Sequence, residues 1–164
     1  MRYLSGVRLL LFVSLALLYS QLSVTMSAAE DRSITGWEMG GEYDRLYRPD
    51  QYTKIKGTLV EIIDVVPKPG MVLGLGMIVE LRNNERVTVH FAPKWFARFL
   101  KYGFKSGDRV KVKGCWAEID NKKVFLGSKV RNGEIFEMKF RRTKDGTPYW
   151  TLTPDEMIKE KLED

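Results

Sequence analysis

The soft donors in this 164-residue chain are one histidine, one cysteine and seven methionines. His90 ends an alternating run, Val87-Thr88-Val89-His90. An imidazole there serves as a ligand to metal or haem iron, as a partner contact, or as a structural hydrogen-bonding group. The structural bond, for instance to the loop leading into the next helix, is the preferred reading. Met71, Met77 and His90 together supply thioether and imidazole, which suit Cu(I), and Trp95 would cover such a site. Parity opposes that set. Met71 and Met77 fall on the odd, apolar face of their strand, and His90 falls on the polar face of the next. Both methionines read as core filler. A single cysteine and a single histidine exclude a disulfide framework, a Cys-based zinc site and any centre built on a histidine pair.

The basic residues come next. Lys68 falls in the loop between the first and second strands, and Lys122 and Lys123 between the fourth and fifth. Lys111 and Lys113 share a polar strand face with Cys115. Charge with aromatic stacking is the chemistry of single-stranded nucleic-acid binding. The plainer readings are a solvated face, or one that meets an acidic partner or anionic lipid headgroups. Most aromatics fall at apolar positions, which weakens a stacking platform. Nearby lysines would lower the Cys115 thiol pKa and favour a reactive or haem-linked thiol. No C-x-x-C-H motif accompanies it, so a shielded thiol is preferred. No nucleophile–base–acid set and no phosphate loop is present, and Gly74 and Gly76 precede no helix. The chain reads as non-catalytic and no cofactor is expected, copper or haem at His90 being the alternative.

These residues need a scaffold, and the hydrophobic pattern describes one. Tyr52–Val66 is β-branched and changes the parity of its apolar positions between Leu59 and Val60, which predicts a bulge or a sharp coil. Met71–Leu81 is a second strand with an odd core face. Glu85–Phe91 is a third, with Val87, Val89 and Phe91 inward. Facing pairs across this hairpin must sum to an even number, such as Leu81 with Val87, which asks for a three-residue loop at Asn83–Glu85. Pro93–Tyr102 is a short helix whose Trp95, Phe96, Phe99 and Leu100 form an inward stripe. Arg109–Ile119 and Val124–Val130 are strands four and five, joined by a turn at Asp120–Lys123. Ile135–Arg142 and Tyr149–Leu152 form an added hairpin, and Thr153, Pro154 and Glu156 open a final helix with a capping box. Five strands with a helix between the third and fourth is the order of an OB-fold barrel, so the fold class is all-β.

Residues 1–29 are an address. Arg2 and Arg8 precede the apolar run Leu9–Tyr19, and Ser27 and Ala29 occupy the −3 and −1 positions of a small-x-small site. This is a secretory signal pattern with cleavage after Ala29; an uncleaved N-terminal anchor is the alternative. The remaining 135 residues carry 25 basic against 21 acidic side chains, a net charge of +4. That is mildly basic, well short of a dedicated duplex binder. Residues 30–51 read as an extended polar arm, 52–152 as the OB-fold domain with its hairpin, and 153–164 as the terminal helix. With the signal removed no integral span remains.

One stretch carries a resemblance. Val87-Thr88-Val89-His90-Phe91-Ala92-Pro93-Lys94-Trp95-Phe96 is followed by Gly103, Phe104, Gly107, Asp108, the strand Val110-x-Val112-x-Gly114, and Asp145, Gly146, Pro148 and Trp150. Over about residues 54–151 this resembles a family of small exported bacterial OB-fold proteins and is similar to the C-terminal domain of the magnetosome proteins MamS and MamX. Ala92 stands where that pattern has glycine. The resemblance implies a non-catalytic exported domain tied to redox or metal handling. The function expected is a periplasmic or secreted binding module that docks on another exported or membrane protein. Its contacts would come from Thr88, His90, Trp95, Lys68, Lys111, Lys113, Lys122 and Lys123. The alternatives are a metal or haem carrier using His90, and single-stranded nucleic-acid binding, which export disfavours.

Overall fold

A computed structural model describes residues 32–134 and 136–163. The signal segment lies outside the described residues. The fold is all-β: six strands, mostly antiparallel, with short helices between them. The strands are β1 (Thr53–Val65), β2 (Gly74–Leu81), β3 (Arg86–Pro93), β4 (Arg109–Ile119), β5 (Lys122–Asn132) and β6 (Phe136–Lys139). Their order is β3-β2-β1-β4-β5-β6, and β3 also pairs in parallel with β5 at Val89–Phe125 and His90–Leu126. Each of β1 to β5 therefore has at least two bonded neighbours.

The parity break in β1 is a bulge. Register slips between Leu59 and Glu61, leaving Val60 without a partner on β2. Leu59 consequently points into the core while the strand coils to meet β4 through its first half and β2 through its second. Gly57 sits where the strands crowd; a Cβ there would lie 2.3 Å from the Glu80 carbonyl oxygen.

The β2–β3 hairpin keeps the expected parity with a different register. Val79 faces Val87 and Met77 faces Val89. Leu81 N–H donates to the Glu85 carbonyl, and Arg82, Asn83 and Asn84 form the three-residue loop. Asn84 at φ 62° supplies the left-handed residue that such a loop needs. The loop expected at Asn83–Glu85 begins one residue earlier, at Arg82, because the asparagine suits that position better than the glutamate. Strand β2 also starts at Gly74, three residues later than expected, so Met71 precedes it.

The helix expected at Pro93–Tyr102 is two pieces, α1 (Lys94–Ala97) and α2 (Leu100–Gly103). The break turns the apolar stripe. Ala97 and Leu100 are buried, whereas Phe99 is 51% exposed under the Arg98 guanidinium. The β4–β5 turn is tight, with Asp120 and Asn121 both at positive φ. Lys122 and Lys123 therefore open β5 rather than sit in the loop. The added hairpin forms only in part. Phe136–Lys139 pairs with β5 as a sixth strand, while Tyr149–Thr151 is a 3₁₀ turn joined to the first limb by one bridge, Arg141 with Pro148. The helix α3 (Pro154–Glu163) opens with the expected capping box: Thr153 N–H donates to the Glu156 carboxylate at 2.7 Å, and Glu156 N–H to the Thr153 hydroxyl at 3.3 Å. No described helix is long and apolar enough to cross a membrane.

The main correction concerns residues 32–51. They are folded, with 3₁₀ turns at Asp44–Leu46 and Pro49–Gln51 and with Trp37, Tyr43 and Tyr47 buried. Aromatic rings spaced irregularly carry no period, so this packing layer leaves no amphipathic signature.

Candidate functional site

The arm and the segment Phe140–Thr151 meet over one part of the sheet. Arg141 joins them. Its guanidinium is 3% exposed, bonds Asp44 at 2.5 Å and the Gly146 carbonyl at 3.1 Å, and lies 4.7 Å and 4.9 Å from the Tyr47 and Trp150 ring centres. Trp150 donates its indole N–H to the Trp37 carbonyl, and Trp37 donates to the Val72 carbonyl, both at 2.9 Å. A planar cation between two rings satisfies charge and packing together. Sequence reasoning missed this centre. Its one advance signal was the presence of Trp37, Tyr43 and Tyr47 in a segment otherwise read as polar.

This cover changes two predicted residues. His90 was expected on an open polar face; it is 7% exposed, with the Tyr43 hydroxyl 3.3 Å from Nδ1 and the Tyr43 ring stacked alongside. Burial pushes the imidazole down to about 4, so the ring is neutral at ordinary pH. Its hydrogen bond runs to the arm rather than to the helix loop. Cys115 is also buried, and its Sγ accepts the Arg48 backbone N–H at 3.2 Å. Burial raises the thiol pKa and outweighs the lowering by that N–H and by Arg141, the reverse of the effect expected from the lysines.

The remaining predicted residues scatter. Met77 lies fully in the core, and Met71 lies in the β1–β2 connection, packed where a Gly36 side chain would be. Pleating puts Met77 and His90 on opposite faces of the sheet. Thr88 is half-buried in β3 opposite Ile78. Trp95 donates its indole N–H to the Ser33 carbonyl at 3.1 Å. Lys68 pairs with Glu42, and the Lys123 ammonium sits 4.2 Å from the centre of the Trp116 ring. Lys122 is exposed at the start of β5.

Lys111 and Lys113, by contrast, belong to a larger pattern. Register places Lys54, Lys113, Lys129 and Lys139 side by side on β1, β4, β5 and β6. The next rank, two residues along each strand, is Lys56, Lys111, Arg131 and Glu137. Between these positions Ile55, Val112 and Val130 point into the core, so the charged ranks face outward. Glu137 bonds Lys129 at 3.2 Å and Arg131 at 2.7 Å. Lys54, Lys56, Lys111 and Lys113 make no ion pair among the described residues. Strands about 4.8 Å apart force these ammonium stems together.

The model of one protein family matches residues 51–136, just over half of the chain and all of β1 to β5. The chain belongs to the MamS/MamX magnetosome protein family. No curated protein matches it. The MamS/MamX match contains His90, Cys115 and most of the lysine ranks. It stops short of Arg141 and Trp150, and Tyr43 and Tyr47 precede it. The roof over His90 and Cys115 is thus built from residues on both sides of the matched span.

Proposed function

We propose that this MamS/MamX-family chain is an exported, non-catalytic accessory module of OB-fold architecture that docks on an acidic surface of another exported or membrane protein. The strand order, the parallel β3–β5 pairing that links the ends of the five-strand set, and the helices between β3 and β4 support the OB-fold reading. The basic, apolar and small-residue zones of residues 1–29 support export.

The observation that carries docking is the pair of cationic ranks. Like charges facing across strands oppose folding. In water-like surroundings each facing pair costs at most about 1 kcal/mol before screening. The sheet holds two such ranks with one glutamate between them, and an acidic partner surface removes the repulsion on contact. Of the residues expected to bind, Lys111 and Lys113 lie on this face. His90 acts beneath the arm as a structural group.

A photo-crosslinking residue in place of Lys113, introduced into the protein in its own cells, tests this. The expected result is a discrete adduct with an exported or membrane protein, lost when Lys54 and Lys129 are changed to Glu. An adduct unaffected by those charges, or none, would falsify the docking reading.

A further inference from the structure

At the second of the two ranks the surface is concave. A groove of about 450 Å³ runs between the β2–β3 loop and the β5–β6 turn, across the starts of β1 and β4. Its volume lies in the range of about 300–1,000 Å³ typical of small-molecule sites. Lys56, Arg82, Arg109, Lys111 and Arg131 line it, against the carboxylates of Glu80 and Glu134. Both carboxylates are engaged: Glu80 pairs with Arg86 at 3.2 Å, and Glu134 lies 3.7 Å from Arg131. Arg131 is in turn held by Glu137. Lys56, Arg82, Arg109 and Lys111 make no ion pair among the described residues.

Gly57 lines the groove, and the close approach of β2 there excludes any side chain. Asn84 at φ 62° and Gly133 at φ 59° turn the chain sharply at either end. The cations therefore ring a space that no side chain of the lining strands fills. Register fixes their spacing: Lys56 faces Lys111, and Arg109 faces Thr58, on adjacent strands.

We infer that this groove binds a small ligand carrying several clustered oxyanion groups. Guanidinium groups match carboxylate and phosphate oxygens with paired N–H donors, and the two lysines add point charges. A concave site concentrates their field, which a flat face does not. The oxyanions have two sources, a free polyvalent anion or the side chains of an acidic peptide segment. The groove shares Lys56, Lys111 and Arg131 with the second rank of the proposed docking face, and the inference does not depend on docking.

Calorimetric titration of citrate, pyrophosphate and hexaglutamate into the protein as purified from its cells tests it. Saturable binding of citrate or pyrophosphate at low salt, weakened about tenfold or more in Arg82→Gln/Arg109→Gln, supports a free anion. Binding of hexaglutamate alone, with the same loss, supports an acidic segment. Both arginines are exposed, so the double variant keeps its fold, which circular dichroism checks. Absence of binding by all three probes overturns the inference, and so does binding that the double variant retains. Lys54→Glu/Lys129→Glu separates the two sites: it removes the docking adduct while groove binding persists, since neither residue lines the groove.

Discussion

At the scale of single residues, the arm's contacts set the chemistry of the only histidine and the only cysteine. His90 has a folded pKa of about 4 against 6.5 for a free imidazole. Above pH 6.5 both states are neutral and the group leaves stability unchanged. As pH falls below 6.5 the unfolded chain takes up the proton first, and stability is lost down to the folded value. The loss attributable to His90 reaches on the order of 3 kcal/mol. Urea midpoints between pH 7.5 and pH 4 should fall more steeply for the natural chain than for His90→Asn; parallel curves would contradict the buried neutral ring. Arg141 supports a second residue-level expectation. Arg141→Met leaves Asp44 without its partner and should cost about 3–5 kcal/mol. Arg141→Lys should recover little of that, because an ammonium cannot stack between Tyr47 and Trp150 while bonding Asp44 and Gly146. Denaturant titration of the two variants checks both.

Among the elements, the arm is a packing layer. Trp37 touches Tyr43 and Trp150 edge-on at 4.8 and 5.9 Å between ring centres, and its indole closes a bond to Val72. Trp37→Ala should cost about 3–5 kcal/mol. It should also speed alkylation of Cys115 under native conditions, since the sulfur is shielded by Arg48 of the same segment. An unchanged labelling rate would show that the arm opens independently of its tryptophan. The β5 bulge makes the matching connection on the C-terminal side. Ser128 is passed over in the pairing with β4, and its carbonyl accepts the N–H groups of Phe140 and Arg141. A strand irregularity thereby docks the segment that carries the buried arginine.

For the whole molecule, charge is arranged against stability. Two cationic ranks span four strands, relieved mainly by Glu137. Raising salt should therefore raise the melting temperature of the isolated protein, because screening weakens repulsion among exposed charges. Lys113→Thr should stabilise it by roughly 0.5 kcal/mol, read from its melting temperature. A destabilised Lys113→Thr would mean that the lysine stem matters more to packing than its charge costs.

The sequence alone determined the first five strands of the sheet and their faces. Period-two patterning, the parity switch at Leu59–Val60 and the even-sum rule of the hairpin all follow from side chains alternating across a pleat. It determined the capping box at Thr153, because that signal is local. The pattern Val87–Phe96 pointed to the family that residues 51–136 match. Tertiary structure decided what covers each face. His90 and Cys115 lie at polar-face positions by parity, and only the distant Tyr43 and Arg48 bury them. Lys54 and Lys139 become members of one rank through the pairing of β1 with β4, β4 with β5 and β5 with β6. Periodicity reports which way a side chain points within its own element. Whether water, a ring or a like charge waits there depends on residues far away in the chain, and those contacts leave no periodic trace.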